Sequence, residues 1–207
     1  MQRIGQTGYV ILGLLSIQPN LSGYDMRKAV QQSVGHFWGE SYGQIYPALR
    51  QLVAEKLIEP AHGTPGQRKR QEYRITKAGE DHLHHWLALP FHNDPPRNEF
   101  LLKLFFGLQA TPAVALEHVK DLQQRNTSML ETLKKIEASV PQDEPPNPNL
   151  PYWMLTLSLG RALTMAALEW GEHAMKTLSD LDSAAPPGRP HHAGSRIPRG
   201  GSAAKET

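Results

Sequence analysis

The chain has 207 residues, enough for one large domain or two small ones, and an apolar fraction of 39% that suits a folded core. It holds no cysteine, which excludes a disulfide framework and a thiolate metal site, and no run of about 18 apolar residues able to span a membrane. Its net charge of +2 conceals a division: 10 Lys and Arg against 7 Asp and Glu in residues 1–89, 8 against 12 in residues 90–183, and 4 against 1 in residues 184–207. A mildly basic front ahead of an acidic middle fits a head that binds a polyanion and a body that does not. The segment before the first apolar run offers one base, Arg3, and no small-residue cleavage site, so a cytoplasmic protein is the expectation.

Residues 8–17, which include Tyr9-Val10-Ile11-Leu12-Gly13-Leu14-Leu15, are apolar nearly all round and read as a core helix ended by Pro19 and Asn20. Ser22 and Asp25 have capping-box spacing and open a second helix from Gly23 to about Val34, which places Tyr24, Arg27 and Lys28 on an outer face. Gly35 closes it, and His36-Phe37-Trp38-Gly39 forms an aromatic connection. Ser41 and Gln44 repeat the capping spacing ahead of a third helix that runs to about Lys56. Ile45, Leu49, Leu52 and Val53 give it one apolar face. Pro47 conflicts with a start at Tyr42, because it lacks the N–H that the Gly43 carbonyl would need; the helix starts near Tyr46 or opens with distorted turns.

Two strand candidates follow. Leu57 to His62 is the first, with Pro60 indicating an edge, and Arg68 to Ile75 is the second, with Tyr73 and Ile75 on one face and Arg70, Glu72 and Arg74 on the other. Gly63-Thr64-Pro65-Gly66-Gln67 is the turn between them. Thr76 then caps a helix to about Leu89, whose buried side is expected to be Leu83, Trp86 and Leu87. The order helix, helix, helix, strand, turn, strand, helix is that of a winged helix-turn-helix, and it accounts for residues 1–90.

Pro90 to Pro96 reads as a linker. Asn98 or Arg97 begins a short helix, Glu99 to about Leu108, and Thr111-Pro112 starts a long one to about Val140 that carries Leu116, Val119, Leu130, Leu133 and Ile136. Glu131 and Lys135 have the spacing of an i,i+4 ion pair on its outer side. Residues 141–151 contain five prolines and read as a loop. From Tyr152 to about Leu181 a last helix is too rich in Leu, Met, Ala and Trp to stand in water, and a second copy of the chain is its natural cover. Residues 97–183 are therefore expected to be an α-helical dimerisation domain, and residues 184–207 a disordered tail that adds at most weak phosphate attraction. The fold class is mainly α: a winged helix-turn-helix domain followed by that helical domain.

The outward residues of the third helix are polar, aromatic and basic, the groups that meet phosphates and base edges. Gln44 and Tyr46 are placed to approach bases. Ser41, Tyr24 and Arg50 suit phosphates, Gly43 and Pro47 complete the face at the helix start, and Arg68, Lys69 and Arg70 straddle the neighbouring backbone. Tyr46 has a second reading, in which its ring packs on the second helix. A small aromatic effector is the weaker expectation, held by Phe37, Trp38, Trp153 and Trp170 in a cavity where head meets body. His82, His84 and His85 are read as solvated surface residues rather than metal ligands, and no catalytic constellation, cofactor motif or phosphate loop stands out. A winged-helix module that docks another protein without touching DNA is the competing class, and an activator on the same fold is a second alternative.

Ser41-Tyr42-Gly43-Gln44-Ile45-Tyr46-Pro47-Ala48-Leu49 with Leu52 and Leu57-Ile58 resembles the recognition-helix signature of the PadR family of transcriptional regulators. Ser22-Gly23-Tyr24-Asp25 is similar to its second-helix signature, Tyr73-Arg74-Ile75-Thr76-Lys77-Ala78-Gly79 to the end of its wing, and Asn98-Glu99-Phe100-Leu101-Leu102-Lys103-Leu104-Phe105-Phe106 to the start of the helical C-terminal domain in longer members. The resemblance covers about residues 8–181. It implies a homodimeric repressor on a palindromic operator, released by an effector such as a phenolic acid. Lys56 departs from the pattern, which commonly has glycine there to end the helix in a left-handed conformation.

Overall fold

A computed structural model describes residues 4–37, 42–61, 70–91, 97–140 and 147–184. The chain divides into two compact units, Met1–Asp94 and Pro95–Thr207.

In the first unit, α1 (Gln6–Ile17), α2 (Gly23–Gln32) and α3 (Ile45–Ala54) surround one core with a small sheet and α4 (Lys77–Ala88). Ile11, Leu12 and Leu15 of α1 meet Met26 of α2, Ile45, Leu49 and Leu52 of α3, and Leu83 of α4. Local sequence starts each of the capped helices. Ser22 accepts a hydrogen bond from the Asp25 amide at 3.3 Å while the Asp25 carboxylate accepts from the Ser22 amide at 3.2 Å, a complete capping box for α2. Thr76 caps α4 by accepting from the Gly79 amide at 3.1 Å.

The Pro47 conflict resolves at the start of α3. A single 3-10 turn, Tyr42–Gln44, precedes the helix, so Pro47 is its third residue, where the N–H has no intrahelical partner to lose. The other end of α3 is a Schellman motif built on Lys56. Its φ is 57°, the Leu57 amide donates to the Leu52 carbonyl at 2.9 Å, and the Lys56 amide donates to the Val53 carbonyl at 3.0 Å. The left-handed terminus is therefore present without the glycine.

The sheet has three strands, β1 (Leu21–Ser22), β2 (Ile58–Pro60) and β3 (Glu72–Ile75), in the order β1-β3-β2 and all antiparallel. β1 was not expected. It is two residues long, too short for any alternation to show, and it pairs Leu21 with Tyr73 and Ser22 with Glu72. Asn20 turns the chain into it at φ 64°. Pro60 lies on an edge strand, where its missing N–H breaks no ladder. Over the described residues β2 and β3 are shorter than expected, and the turn between them, 62–69, lies outside the described residues.

α4 is rotated from the expected face. Gly79, His82 and Leu83 are buried, while Trp86 and Leu87 are exposed. The cause is Tyr9, which stacks on Trp86 with centroids 4.3 Å apart and accepts or donates a 3.3 Å hydrogen bond with His82 Nε2. His82 is thus a core residue and not a solvated one; His84 and His85 are exposed. Gly79 permits the close approach of α4 to the wing root, since a Cβ there would stand 2.1 Å from the Leu57 carbonyl oxygen.

The second unit consists of α5 (Glu99–Phe105), a 3-10 turn at Gly107–Gln109, and two long helices, α6 (Pro112–Ala138) and α7 (Leu150–Ala184), which pack against each other. Val119 and Leu133 are the buried side of α6. Glu131 pairs with Lys134 at 3.4 Å rather than with Lys135. Gln123 of α6 donates to the Leu168 carbonyl of α7 at 2.8 Å, and its amide lies where a side chain on Gly171 would stand, so a missing Cβ lets the two helices close there. Arg161 bridges back to Glu137 at 3.1 Å. α7 buries only Thr164 and Gly171 within the chain. Among the described residues no helix is long and apolar enough to cross a membrane. The tail expected to be disordered lies outside the described residues from 185 onward.

Candidate nucleic-acid interface

α3 is amphipathic as its spacing requires: Ile45, Leu49 and Leu52 enter the core, and Gln44, Tyr46, Pro47, Arg50 and Gln51 are exposed, as is Gly43 before them. Gln51 is engaged along the helix, donating to Glu55 at 2.8 Å. Arg50 forms no ion pair with any described residue. Exposed polar groups on a helix whose opposite face is anchored by three core side chains make a rigid reading surface.

Tyr46 combines both of its readings. A Cβ on Gly23 would lie 2.8 Å from its ring and 3.1 Å from Leu49 Cδ1, so the ring rests against the first residue of α2. More than half of the residue, 54%, is nevertheless open to solvent. The neighbour of Gly23 is Tyr24, which is exposed, and the Arg70 guanidinium lies over its ring with 4.1 Å to the centroid. The first turn of α2, the first turn of α3 and the end of the wing therefore meet in one polar, aromatic and basic surface. Tyr24 and Arg70 are 46 positions apart in sequence, and no local pattern joins them.

The wing carries its charges in two states. Arg74 Nε donates to Glu59 Oε1 at 2.7 Å across the β2–β3 ladder, which pairs it internally. Arg70 pairs with no described carboxylate. At the α2 terminus the Ser22 hydroxyl bonds the Asp25 carboxylate and holds its pKa below the ordinary value of 3.8, with the Ser22 amide, Arg70 and Lys28 acting in the same direction. The capping box occupies the Ser22 and Asp25 amides, and the Tyr24 and Arg70 side chains stand beside it as groups able to meet an anion. Ser41, Arg68 and Lys69, also expected at the interface, lie outside the described residues.

The four aromatics expected to hold an effector do not form one group within a unit. Phe37 is exposed in the first unit, and Trp38 lies outside the described residues. Trp153 and Trp170 stand on α7 about 25 Å apart, 17 residues at 1.5 Å each, so one small molecule in one protomer cannot touch both. Trp170 instead receives the edge-on ring of Phe100 at 5.8 Å. Phe100, exposed to view in the sequence only as part of an apolar run, is the aromatic partner the expectation lacked.

Comparison with known proteins gives two family matches. Residues 11–85 match the transcriptional regulator PadR-like family, and residues 96–179 match the virulence activator alpha C-term family. The negative transcriptional regulator PadR of Bacillus subtilis (strain 168) is 32% identical over 162 residues, 74% of this chain and 87% of the relative. Among solved structures, Bacillus subtilis PadR in complex with operator DNA gives a TM-score of 0.71 at 25% identity, covering 83% of this chain and 98% of that one. Bacillus subtilis PadR in complex with p-coumaric acid gives 0.67 at 26% identity over the same shares of the two chains.

Proposed function

This chain belongs to the PadR-like family of transcriptional regulators, and from that premise we propose that it is a ligand-responsive repressor whose homodimer sets two winged helices on a palindromic operator. The observation that carries the reading is the exposed face of α3, anchored by Ile45, Leu49 and Leu52 and continuous with Tyr24 and Arg70. Gln44 and Tyr46 read bases, Arg50 and Arg70 hold phosphates, and Ser41, Gly43, Pro47, Arg68 and Lys69 extend the contact along the backbone. The relative named a negative regulator supports repression, and its complex with operator DNA supports a duplex as the partner.

Dimerisation rests on α7. Tyr152, Leu155, Leu159 and Leu163 follow one another at helical spacing and are all exposed within the chain. A stripe this apolar is the mark of a helix that another chain covers. The effector is a small aromatic acid by analogy with p-coumaric acid in the relative's complex, and Trp153 and Trp170 report on it separately. The match of residues 96–179 to a virulence activator region favours the second reading, activation on the same fold.

Gel shifts with the duplex upstream of the chain's own gene, run with and without p-coumaric acid, test the proposal together with a promoter fusion in vivo. Repression predicts a shift that the acid reverses and reporter output that rises on deletion of the regulator. Output that falls on deletion supports activation. No shift at low salt overturns both.

A further inference from the structure

We propose that Tyr24 serves the interface as a positioning residue, its ring holding the Arg70 guanidinium so that the N–H donors of Arg70 are presented, preformed, to a DNA phosphate. The inference rests on reading Arg70 as a phosphate contact and gives Tyr24 a role through Arg70 rather than a contact of its own.

Two arginines at the root of the same wing make the contrast. Arg74 spends its Nε–H on Glu59 at 2.7 Å, and an arginine held by a carboxylate has fewer donors to offer and a neutralised charge. Arg70 is held by a different means. Its guanidinium carbon sits 4.1 Å from the Tyr24 centroid, and no described carboxylate or carbonyl bonds its nitrogens. A cation–π contact commits none of the five N–H donors to an acceptor. The long side chain is thereby ordered before the ligand arrives, which removes rotamer entropy that binding would otherwise have to overcome.

The surroundings keep the arrangement open. Tyr24 sits on the first turn of α2, next to Gly23, whose missing Cβ admits the ring of Tyr46. Asp25, one residue on, is occupied with Ser22 and provides a negative charge near Arg70 without pairing with it. Among the described residues the guanidinium has no hydrogen bond or ion pair beside its contact with the ring, which lies within the face already assigned to DNA.

The test is a double-mutant cycle on the full chain, read by titration of the duplex upstream of its own gene at two salt concentrations. Arg70→Ala is expected to weaken binding about tenfold. Tyr24→Leu is expected to weaken it about three- to fivefold, and Tyr24→Leu combined with Arg70→Ala to be no weaker than Arg70→Ala alone. Tyr24→Phe and Tyr24→Trp keep a ring and are expected to bind within about twofold of the parent. Tyr24 is half exposed, so the ring-retaining variants keep the cycle readable even if the leucine variant folds poorly. Losses that multiply in the double variant, a Tyr24→Phe defect equal to that of Tyr24→Leu, or a Tyr24→Leu protein that binds like the parent would each overturn the positioning role. Failure of the underlying reading looks different: Arg70→Ala would then bind with parental affinity and parental salt dependence.

Discussion

Single residues decide how the head closes. Gly79 brings α4 against the Leu57 carbonyl, and that carbonyl also receives the Thr76 amide at 3.1 Å and a share of the Thr76 hydroxyl proton. Gly79→Ala is therefore expected to destabilise the protein by about 1–3 kcal/mol, seen as a lower midpoint of chemical unfolding. Lys56 has the opposite expectation. A lysine at φ 57° carries a Cβ penalty that glycine lacks, partly offset by the entropy glycine loses on folding. Lys56→Gly should stabilise by about 0.5–1 kcal/mol on the same assay. Asp25 sets a pH dependence. Its lowered native pKa means that its contribution is present above the ordinary value of 3.8 and is lost as pH falls through the native one. Asp25→Asn should lower stability at neutral pH, where the carboxylate contributes, and flatten the further loss as pH falls below the ordinary value of 3.8. An acid limb identical to the parent's would show that other carboxylates govern it.

At the level of elements, what was legible is what is local. Ser22 with Asp25, Thr76 with Gly79 and Asn98 with Leu101 announce α2, α4 and α5 because a cap and its amide lie three residues apart. The polar face of α3 was legible for the same reason, since a 3.6-residue period needs no knowledge of the rest of the chain. Contacts made across the fold were not. Tyr9 turns α4 from a distance of 73 residues, β1 is recruited by β3 from about 50 residues away, and Arg70 finds Tyr24 from 46. The long helices were placed to within a few residues, but α7 runs from Leu150, ahead of Pro151, because a proline in the first turn costs no hydrogen bond. The exposed stripe on α7 makes its own prediction. Leu159→Glu puts a charge in the middle of the proposed dimer seam and should convert the protein to a monomer in light scattering, with helix content kept. A variant that stays dimeric would place the seam elsewhere.

At the scale of the whole molecule, charge and architecture divide the chain alike. The basic front folds as a head whose core fixes α3, and the acidic middle folds as paired long helices with an apolar outer stripe. In the proposed dimer each head would meet one half-site of a palindrome, with the recognition helices about 34 Å apart or a multiple of that. The most direct test is the slope of log affinity against log salt for the upstream duplex, measured for the parent, Arg50→Ala and Arg70→Ala. A steep negative slope at two chains per duplex is expected, reduced by about one unit per protomer in each variant. A shallow slope that both variants share with the parent, at one chain per duplex, would contradict it.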